Sequence, residues 1–448
     1  MMRMMVCAWT IIRHPAFWVP LLAAFCGDIY LHGLALEGPA IRSDGWGYYL
    51  QLPAILIHGD PYLVFLNAPD LPKDVRQYRF PDHHWQGLSI HGAGYLDKYA
   101  FGPAVLQLPF FLIALAIAHI RYVDVNGFEP VFQIANAVSG AIYFGLGSFL
   151  IYRACRLRYD RLPSALALAA TILATNVLLY AGADASYSHV YGYCILAGLV
   201  YLTLWRVESG QPPTRAAFVL FGLLMGLAVM VRPTNAVYGL LFLVFARGTP
   251  PRELLIGGSC AFLASAIAVS PQMVLWYVTT GRPIYYSYRG EGFKWLSPQP
   301  FNYLFSIRKG VFFWHPFYLL MILTLPKAWP KRPFETAVTL LIVVLGLYIG
   351  AAWSDYTFGD SFGSRQSVEL LPILLIPFCG VIAALLSSRW KWSAAALVVV
   401  LIAVNAVQYR GYNNDELPHN NTTAVAYADF WAQTLNWPAI HQLAPPPQ

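Results

Sequence analysis

The chain has 448 residues, of which 58% are hydrophobic and 11% charged, with a formal net charge of +7. Soluble domains carry about 25% charged residues, so this chain lacks the polar surface to cover itself and needs lipid as solvent. These values exclude an ordinary soluble protein. The placement of the positive charges, described below, indicates membrane topology and no nucleic-acid partner.

Apolar runs of span length follow one another along the chain. The first begins after Arg3 and Arg13, as a signal peptide would, but it continues to Leu36 without a small-residue cleavage site, so we expect an uncleaved span. The eleven candidate spans are 15–36, 130–152, 163–180, 188–205, 215–231, 234–246, 253–278, 311–326, 334–352, 366–386 and 392–408. The sequence therefore predicts an all-α polytopic membrane protein of about eleven transmembrane helices.

A twelfth apolar segment, 100–120, decides the orientation of all that follows. If it does not cross and the N-terminus is cytoplasmic, the cytoplasmic pieces hold 15 of the 29 Lys and Arg residues in 52 residues. If it crosses, the cluster of arginines at 153–161 and all later basic loops lie outside. Because cytoplasmic loops carry an excess of Lys and Arg, we expect 100–120 to lie along or dip into the membrane interface.

This topology predicts a single transmembrane domain over 1–408 and a short extracytoplasmic tail over 409–448. Its outer face carries a first loop, 37–99, with an amphipathic helix at 46–57, and a second loop, 279–310. The six cysteines avoid these loops and show no CxxC spacing, which argues against disulfides and against a cysteine metal site.

The most distinctive polar cluster, Arg42 to Tyr49, follows the first span and includes Tyr48 and Tyr49. Its Asp44 stands beside glycines that let a ligand approach without Cβ crowding. A carboxylate beside lipid is partly desolvated and is a stronger base. The alternative is structural: Asp44 could form an Asx-turn or N-cap for the following helix.

A second cluster, Asp97-Lys98-Tyr99, leads into Phe101-Gly102-Pro103. A lysine held at the level of the headgroups is well placed to meet a lipid phosphate. The alternative is an ordinary lysine whose ammonium reaches the interface along its own stem.

Other polar residues share the predicted outer side of the membrane. Arg365 and Glu369 could form an i,i+4 pair, and His189 has no other metal-type ligand near it in the sequence. The intramembrane pair Asp28 and His32 is either functional or a helix–helix contact. The remaining cavity candidates are Ser188, His189, Arg232, Asn235, Tyr288, Glu291, Arg308 and Glu369.

Taken in order, these motifs resemble a known family. They are Ser43-Asp44-Gly45 with Tyr48-Tyr49, Asp97-Lys98-Tyr99 to Gly102-Pro103, Ser188-His189, Arg232-Pro233-Thr234-Asn235, and Phe362-Gly363-Ser364-Arg365. The series is similar to that of bacterial glycosyltransferases of the GT-C fold, such as protein O-mannosyltransferases and lipid A aminoarabinose transferases. The resemblance covers nearly the whole chain, and in this family a non-crossing segment after the first loop is expected.

The resemblance implies transfer of a sugar, with inversion, from a polyprenyl-phosphate carrier to a protein, lipid or glycan acceptor outside the bacterial cytoplasmic membrane. Asp44 matches the base that deprotonates the acceptor. Lys98 lies where the aminoarabinose transferases have an acidic-Lys-Pro stretch near the carrier phosphate, although Tyr99 replaces the proline. Arg365 would be a second phosphate partner, stabilising the leaving charge. The oligosaccharyltransferase branch uses a divalent metal and an Asp-x-Asp motif, which this sequence lacks, so no cofactor is predicted and a metal is not favoured.

Two other functions remain open from the sequence. A flippase or transporter for lipid-linked glycans needs cations along its path, whereas Lys and Arg are almost absent from the predicted spans, and the two matched halves of many transporters are not seen. A glycan ligase or polymerase also uses lipid-linked sugars on the outer face, but transfers preassembled chains.

Overall fold

The computed structural model of the chain describes residues 10–32, 39–82, 84–328 and 330–436, and the side chains of 28–32 lie outside this description. The predicted pair Asp28 and His32 therefore falls outside it. The chain divides into two compact units. The first consists of Met1–Arg158 and Leu178–Gly290, and the second of Tyr159–Val177 and Glu291–Gln448.

The described residues fold mainly into α-helices, connected by three 3₁₀ turns and one β-hairpin. The helices are α1 (Pro15–His32), α2 (Asp44–Leu56), α3 (Lys73–Arg76), α4 (Gly102–Arg121), α5 (Pro130–Arg156), α6 (Arg161–Leu173), α7 (Val177–Ala181), α8 (Ser188–Ser209), α9 (Arg215–Val231), α10 (Leu241–Phe245), α11 (Pro251–Thr280), α12 (Pro300–Phe305), α13 (Val311–Trp314), α14 (Phe317–Ile322), α15 (Leu325–Ala328), α16 (Pro333–Ala352), α17 (Leu371–Leu386), α18 (Lys391–Asn413) and α19 (Ala424–Thr434). The 3₁₀ turns are Val64–Asn67, Pro233–Leu240 and Arg365–Leu370, and the strands are β1 (Leu88–His91) and β2 (Gly94–Asp97).

Within the described residues, seven helices are long and apolar enough to cross a membrane. They are Gly102–Arg121, Pro130–Arg156, Ser188–Ser209, Pro251–Thr280, Pro333–Ala352, Arg365–Leu386 and Lys391–Asn413. Shorter apolar helices lie at Pro15–Gly27, Arg161–Leu173, Arg215–Val231, Pro233–Phe245 and Phe317–Ala328. Every predicted span thus contains helix, while the count of eleven stays a prediction. Helix α4 is 20 residues long and belongs to the seven, so its length does not distinguish an interfacial placement from a crossing.

In the first unit, α5 packs against both α1 and α8, and α9 packs closely along α11. Small residues allow the second contact: a Cβ on Gly222 would lie 2.0 Å from the Ala261 carbonyl oxygen, and one on Gly226 would lie 2.5 Å from that of Ser265. Glycines at a helix–helix interface let the two backbones approach closely and gain van der Waals contact. The residue spacing of four places both glycines on one face of α9.

The first loop folds onto α2 through an aromatic core. The Trp46 ring stacks on Tyr78 and Trp85, with centroids 4.4 Å and 5.8 Å away. Strands β1 and β2 pair antiparallel with Leu88 opposite Asp97, and they carry the chain back toward the start of α2. The amphipathic segment predicted at 46–57 is therefore a helix, and the loop around it is compact.

In the second unit, α6 packs against α17 and α18. The buried Asn176, just beyond α6, joins this packing to the segment before Arg365. Its amide donates to the carbonyls of Phe362 at 3.3 Å and Ser364 at 3.0 Å, and its carbonyl accepts from the Tyr318 hydroxyl at 2.9 Å. Buried amides satisfied in this way fix the conformation of the chain they contact.

Candidate functional site

Asp44 is the first residue of α2 and is half-buried. Ser43 takes the N-cap position without a side-chain capping bond, at φ 48° and ψ −130°. A non-glycine residue in this region is strained by about 1–3 kcal/mol, and such strain is concentrated at functional sites. Asp44 also lies at the N-terminus of a helix, where the helix dipole favours a negative charge.

The glycines on either side of Trp46 have a different use from the predicted one. A Cβ on Gly45 would lie 1.8 Å from Ser186 Oγ, and a Cβ on Gly47 would lie 2.0 Å from the Tyr99 ring. The space above both glycines is therefore occupied by the protein. They bring Ser186 and Tyr99 against the start of α2, and they do not open this surface to a ligand.

Tyr99 contacts Asp44 directly. Its hydroxyl donates to Asp44 Oδ1 at 2.6 Å, although the two residues are 55 positions apart. Burial and, next, the Asp44 charge raise the pKa of the Tyr99 hydroxyl well above its usual value, so it stays protonated and remains a donor. Both residues are candidates from the sequence, but the sequence does not predict their contact.

Lys98 lies between two tyrosine rings, with its Nζ 5.4 Å from the ring centroids of both Tyr99 and Tyr288. The Ser287 hydroxyl donates to the Lys98 carbonyl at 2.8 Å. Asp97 is buried and accepts from the Tyr99 N–H at 2.9 Å, and its burial raises the pKa of its carboxyl. Asp44 and Lys98 thus contact the same tyrosine side chain, Asp44 at its hydroxyl and Lys98 over its ring.

The turn between α7 and α8 carries further polar contacts. Arg42 forms a salt bridge of 2.9 Å with the buried Asp184. Arg232 Nη1 lies 3.2 Å from both ring nitrogens of His189, which is itself buried against Tyr180 at 5.0 Å. One guanidinium group is therefore held by the turn and a second lies at the start of α8. The contribution of Arg42 was missed from the sequence because its partner is 142 residues away.

Two predicted cavity residues of the first unit, Tyr49 and Asn235, form structural hydrogen bonds. Tyr49 is buried in the aromatic core and its hydroxyl donates to the Gly127 carbonyl at 2.6 Å. Asn235 is buried and its amide donates to the Ala228 carbonyl at 3.1 Å, closing the end of α9. Ser188 begins α8 and is fully buried. Tyr48, in contrast, packs on the Tyr99 ring at 4.9 Å.

The remaining predicted residues, Glu291, Arg308, Arg365 and Glu369, belong to the second unit. Arg365 and Glu369 share one short 3₁₀ turn, and Glu369 is buried. Arg308 is exposed. The roles predicted for these four side chains stay predictions.

Lys309 is a buried cation of the second unit. It is the neighbour of Arg308, the residue predicted from the sequence. Lys309 Nζ donates to the Ser361 carbonyl and lies 4.9 Å and 5.6 Å from the ring centroids of Trp314 and Tyr412. Burial lowers its pKa to about 7, with Asp360 raising it and Arg365 lowering it further. Nothing in the sequence distinguishes the burial of Lys309 from that of Arg308.

A divalent metal is implied by the oligosaccharyltransferase branch of the fold. Across the described part of the chain, no three His, Cys, Asp or Glu side chains come together in a group that could hold a metal ion. The described side chains therefore do not supply a three-ligand metal site.

No family model matches the sequence, and no curated protein matches it significantly. Among solved structures, the chain is similar to the oligosaccharyltransferase AglB of Archaeoglobus fulgidus in complex with an inhibitory peptide and a dolichol-phosphate, with a TM-score of 0.50 and 13% identity. It is also similar to the apo form of the A. fulgidus enzyme, with a TM-score of 0.47 and 13% identity over 97% of this chain and 61% of that one.

The first match covers 96% of this chain and 60% of the archaeal protein, so the chain spans about three fifths of the length of its structural neighbour. At this identity the similarity concerns the fold alone. The neighbour is a GT-C fold glycosyltransferase, so the GT-C fold predicted from the sequence is confirmed. The choice between the O-mannosyltransferase and aminoarabinose transferase branches is not decided by it.

Proposed function

We propose that the chain is a membrane glycosyltransferase that moves a sugar from a polyprenyl-phosphate carrier to an acceptor on the outer side of a bacterial cytoplasmic membrane. The observation that carries the proposal is the contact of both Asp44 and Lys98 with Tyr99. A base and a cation around one ring match the two charges that such a transfer develops. The fold comparison supports a lipid-linked donor, since the archaeal neighbour was solved with a dolichol-phosphate.

In the proposed reaction, Asp44 accepts the proton of the acceptor hydroxyl as its oxygen attacks the anomeric carbon of the donor sugar. The new glycosidic bond forms on the face opposite the leaving phosphate, which inverts the configuration. The bond from the anomeric carbon to the phosphate oxygen breaks, and its electron pair remains on the polyprenyl phosphate. General base catalysis of this kind contributes about 10²–10⁴-fold to the rate.

Lys98 has the complementary role in this proposal. The phosphate gains negative charge as the bond breaks, and a fixed cation stabilises that charge most strongly where water is excluded. The ammonium lies over two tyrosine rings, whose faces attract a cation. Arg365, the second phosphate partner predicted from the sequence, remains part of the proposal.

The size of the transferred group can be tested together with the transfer activity. The structural neighbour is an oligosaccharyltransferase, which favours considering an oligosaccharide donor beside a single sugar. Purified protein in lipid nanodiscs is incubated with protein, lipid and glycan acceptors and with polyprenyl-phosphate carriers bearing one sugar or a short glycan, and release of the free carrier is followed by mass spectrometry. Protein that releases no carrier from either donor series contradicts the proposal.

The matched variants are Asp44→Asn and Asp82→Asn. Asparagine keeps the shape of the side chain and still accepts the Tyr99 hydrogen bond, but it cannot take a proton. We expect Asp44→Asn to lose at least about 100-fold in kcat while its donor Kd changes less than about twofold, as an unchanged phosphate site requires. Asp82 is an exposed carboxylate of the same loop, and its variant should retain full activity. An active Asp44→Asn enzyme would rule out Asp44 as the base.

A further inference from the structure

The Tyr99 ring is held in a slot made by two glycines. A Cβ on Gly47 would lie 2.0 Å from its Cδ2, and a Cβ on Gly87 would lie 2.1 Å from its Cε2. Gly87 also has φ +72°, a conformation that L side chains rarely adopt. The Tyr48 ring packs beside it at 4.9 Å. No other residue type fits either glycine position without displacing the ring, so its orientation is fixed.

The backbone of Tyr99 is fixed as well. Its N–H donates to Asp97 Oδ1 at 2.9 Å, and the preceding Lys98 N–H donates to the Gly87 carbonyl at 3.1 Å. Asp97 is itself buried at the end of β2. The end of the hairpin therefore holds the residue from one side while the glycine slot holds its ring from the other.

The Tyr99 hydroxyl, the far end of this rigid arm, meets Asp44 at 2.6 Å. This is the length of a charge-assisted O–H···O⁻ bond. A side chain locked at both ends that ends on one carboxylate oxygen sets the plane of that carboxylate. We infer that Tyr99 is a positioning residue that orients the Asp44 carboxylate for proton abstraction, an inference that rests on the proposed function.

The hydrogen bond from Tyr99 to Asp44 has two opposite effects on the rate of proton abstraction. The donated hydrogen bond stabilises ionised Asp44, which makes it a weaker base but keeps it deprotonated to lower pH. Orientation of the carboxylate toward the acceptor raises the rate, because proton transfer depends strongly on alignment. A residue with a purely structural role would produce neither a shift of the pH profile nor a selective loss of kcat.

The test compares Tyr99→Phe with Tyr95→Phe in the nanodisc transfer assay from pH 4 to 9, at saturating donor. Phenylalanine keeps the ring in its slot and the contact with Lys98, and removes only the hydroxyl. We expect kcat to fall about 10-fold, the acidic limb of the pH–rate profile to move upward by about one unit, and the donor KM to stay within about twofold of wild type. Tyr95 lies on β2, four residues before Tyr99, but its hydroxyl donates to Asn67 at 2.9 Å, so Tyr95→Phe should match wild type in all three quantities.

A second variant should shift the acidic limb of the pH–rate profile in the opposite direction. Incorporation of 3-fluorotyrosine at position 99 gives a more acidic hydroxyl and a stronger hydrogen bond to the carboxylate, so the acidic limb should move to lower pH while the ring still fits. This variant also serves if Tyr99→Phe unfolds, which thermal unfolding of the purified proteins would show.

Two outcomes overturn the inference: an unchanged kcat in Tyr99→Phe, or a lowered kcat with an unshifted acidic limb. These differ from failure of the proposed function. If wild-type protein transfers no sugar, or if Asp44→Asn remains active, the proposed function fails. If Asp44→Asn is inactive while Tyr99→Phe behaves as wild type, the proposed function stands and the inference about Tyr99 is wrong.

Discussion

The Lys98 ammonium lies 5.4 Å from the ring of Tyr288, and the neighbouring Ser287 hydroxyl donates to the Lys98 carbonyl. These contacts join the end of the first loop to the start of the segment after α11, 189 residues further along the chain. A cation on a tyrosine face gains about 0.5–1 kcal/mol at an exposed site. The arrangement thus contributes to fixing the position of the ammonium.

Replacement of this lysine should weaken donor binding in particular. A hydrogen bond from an ammonium to a phosphate contributes about 1.5–3 kcal/mol, so we expect Lys98→Ala to raise the donor KM by about 10-fold or more. Titration of the polyprenyl-phosphate donor in the transfer assay measures this change. Lys73→Ala is the matched control, because Lys73 is an exposed lysine of the same loop. Equal donor KM values for wild type and Lys98→Ala would separate Lys98 from the phosphate.

The residues of this site were visible in the sequence, since charged and polar groups are rare in so apolar a chain. Asp44, Lys98, Tyr99 and Tyr288 were all chosen from it. Their contacts were not, because the Tyr99 hydroxyl reaches Asp44 only through a hairpin and a glycine slot formed by distant parts of the chain. Tertiary packing of this kind leaves no periodic signal.

The same limit applies to the helices. The apolar run 311–326 reads as one span, but it folds as three short helices with Pro316 at the start of the second and Pro326 in the third. Proline lacks the N–H that a continuing helix needs, and this signal was available in the sequence. The choice of Arg308 over Lys309 had no such signal, because burial of one neighbour and exposure of the other depend on the position of Trp314 and Tyr412.

The close packing of α9 on α11 gives a stability prediction. In Gly222→Ala the new methyl group would meet the Ala261 carbonyl oxygen at 2.0 Å, whereas in Gly198→Ala the nearest atoms are at an ordinary 3.7 Å. Overpacking costs about 1–3 kcal/mol, so we expect Gly222→Ala to unfold at a lower temperature than wild type in detergent micelles. Gly198→Ala makes the same helix substitution without the clash and should be neutral or slightly stabilising. Equal melting temperatures for the two variants would contradict the close contact.

The buried Lys309 predicts how stability depends on pH. Burial lowers its pKa to about 7, against the attraction of Asp360 and with the repulsion of Arg365, while in the unfolded chain a lysine titrates near 10.4. Between these values the unfolded chain binds a proton that the folded chain does not. The free energy of unfolding therefore rises with pH in this window. Below about pH 7 this group adds no pH dependence.

Removal of the titrating group should remove this dependence. We expect Lys309→Met to show a flatter melting temperature between pH 7 and 10 than wild type, because methionine fills the same space without a charge to desolvate. Lys294→Met is the control, since Lys294 is exposed and its loss should leave the slope unchanged. A slope in Lys309→Met as steep as that of wild type would show that the ammonium is already solvated.

The sidedness of the membrane is tested by three cysteines in a background without the native ones. Asp82→Cys, Asp160→Cys and Arg289→Cys all replace exposed side chains. If the positive charges face the cytoplasm, a membrane-impermeant thiol reagent should label positions 82 and 289 in intact cells, and position 160 only after permeabilisation.

If α4 crosses the bilayer, positions 82 and 160 become accessible and 289 does not, because every later loop changes sides. If the six predicted spans between α4 and Tyr288 all cross, that pattern would place Tyr288 and the first loop on opposite sides of the membrane, in conflict with the contact of Lys98 with Tyr288. The charge distribution and the side-chain geometry therefore make the same prediction from independent observations.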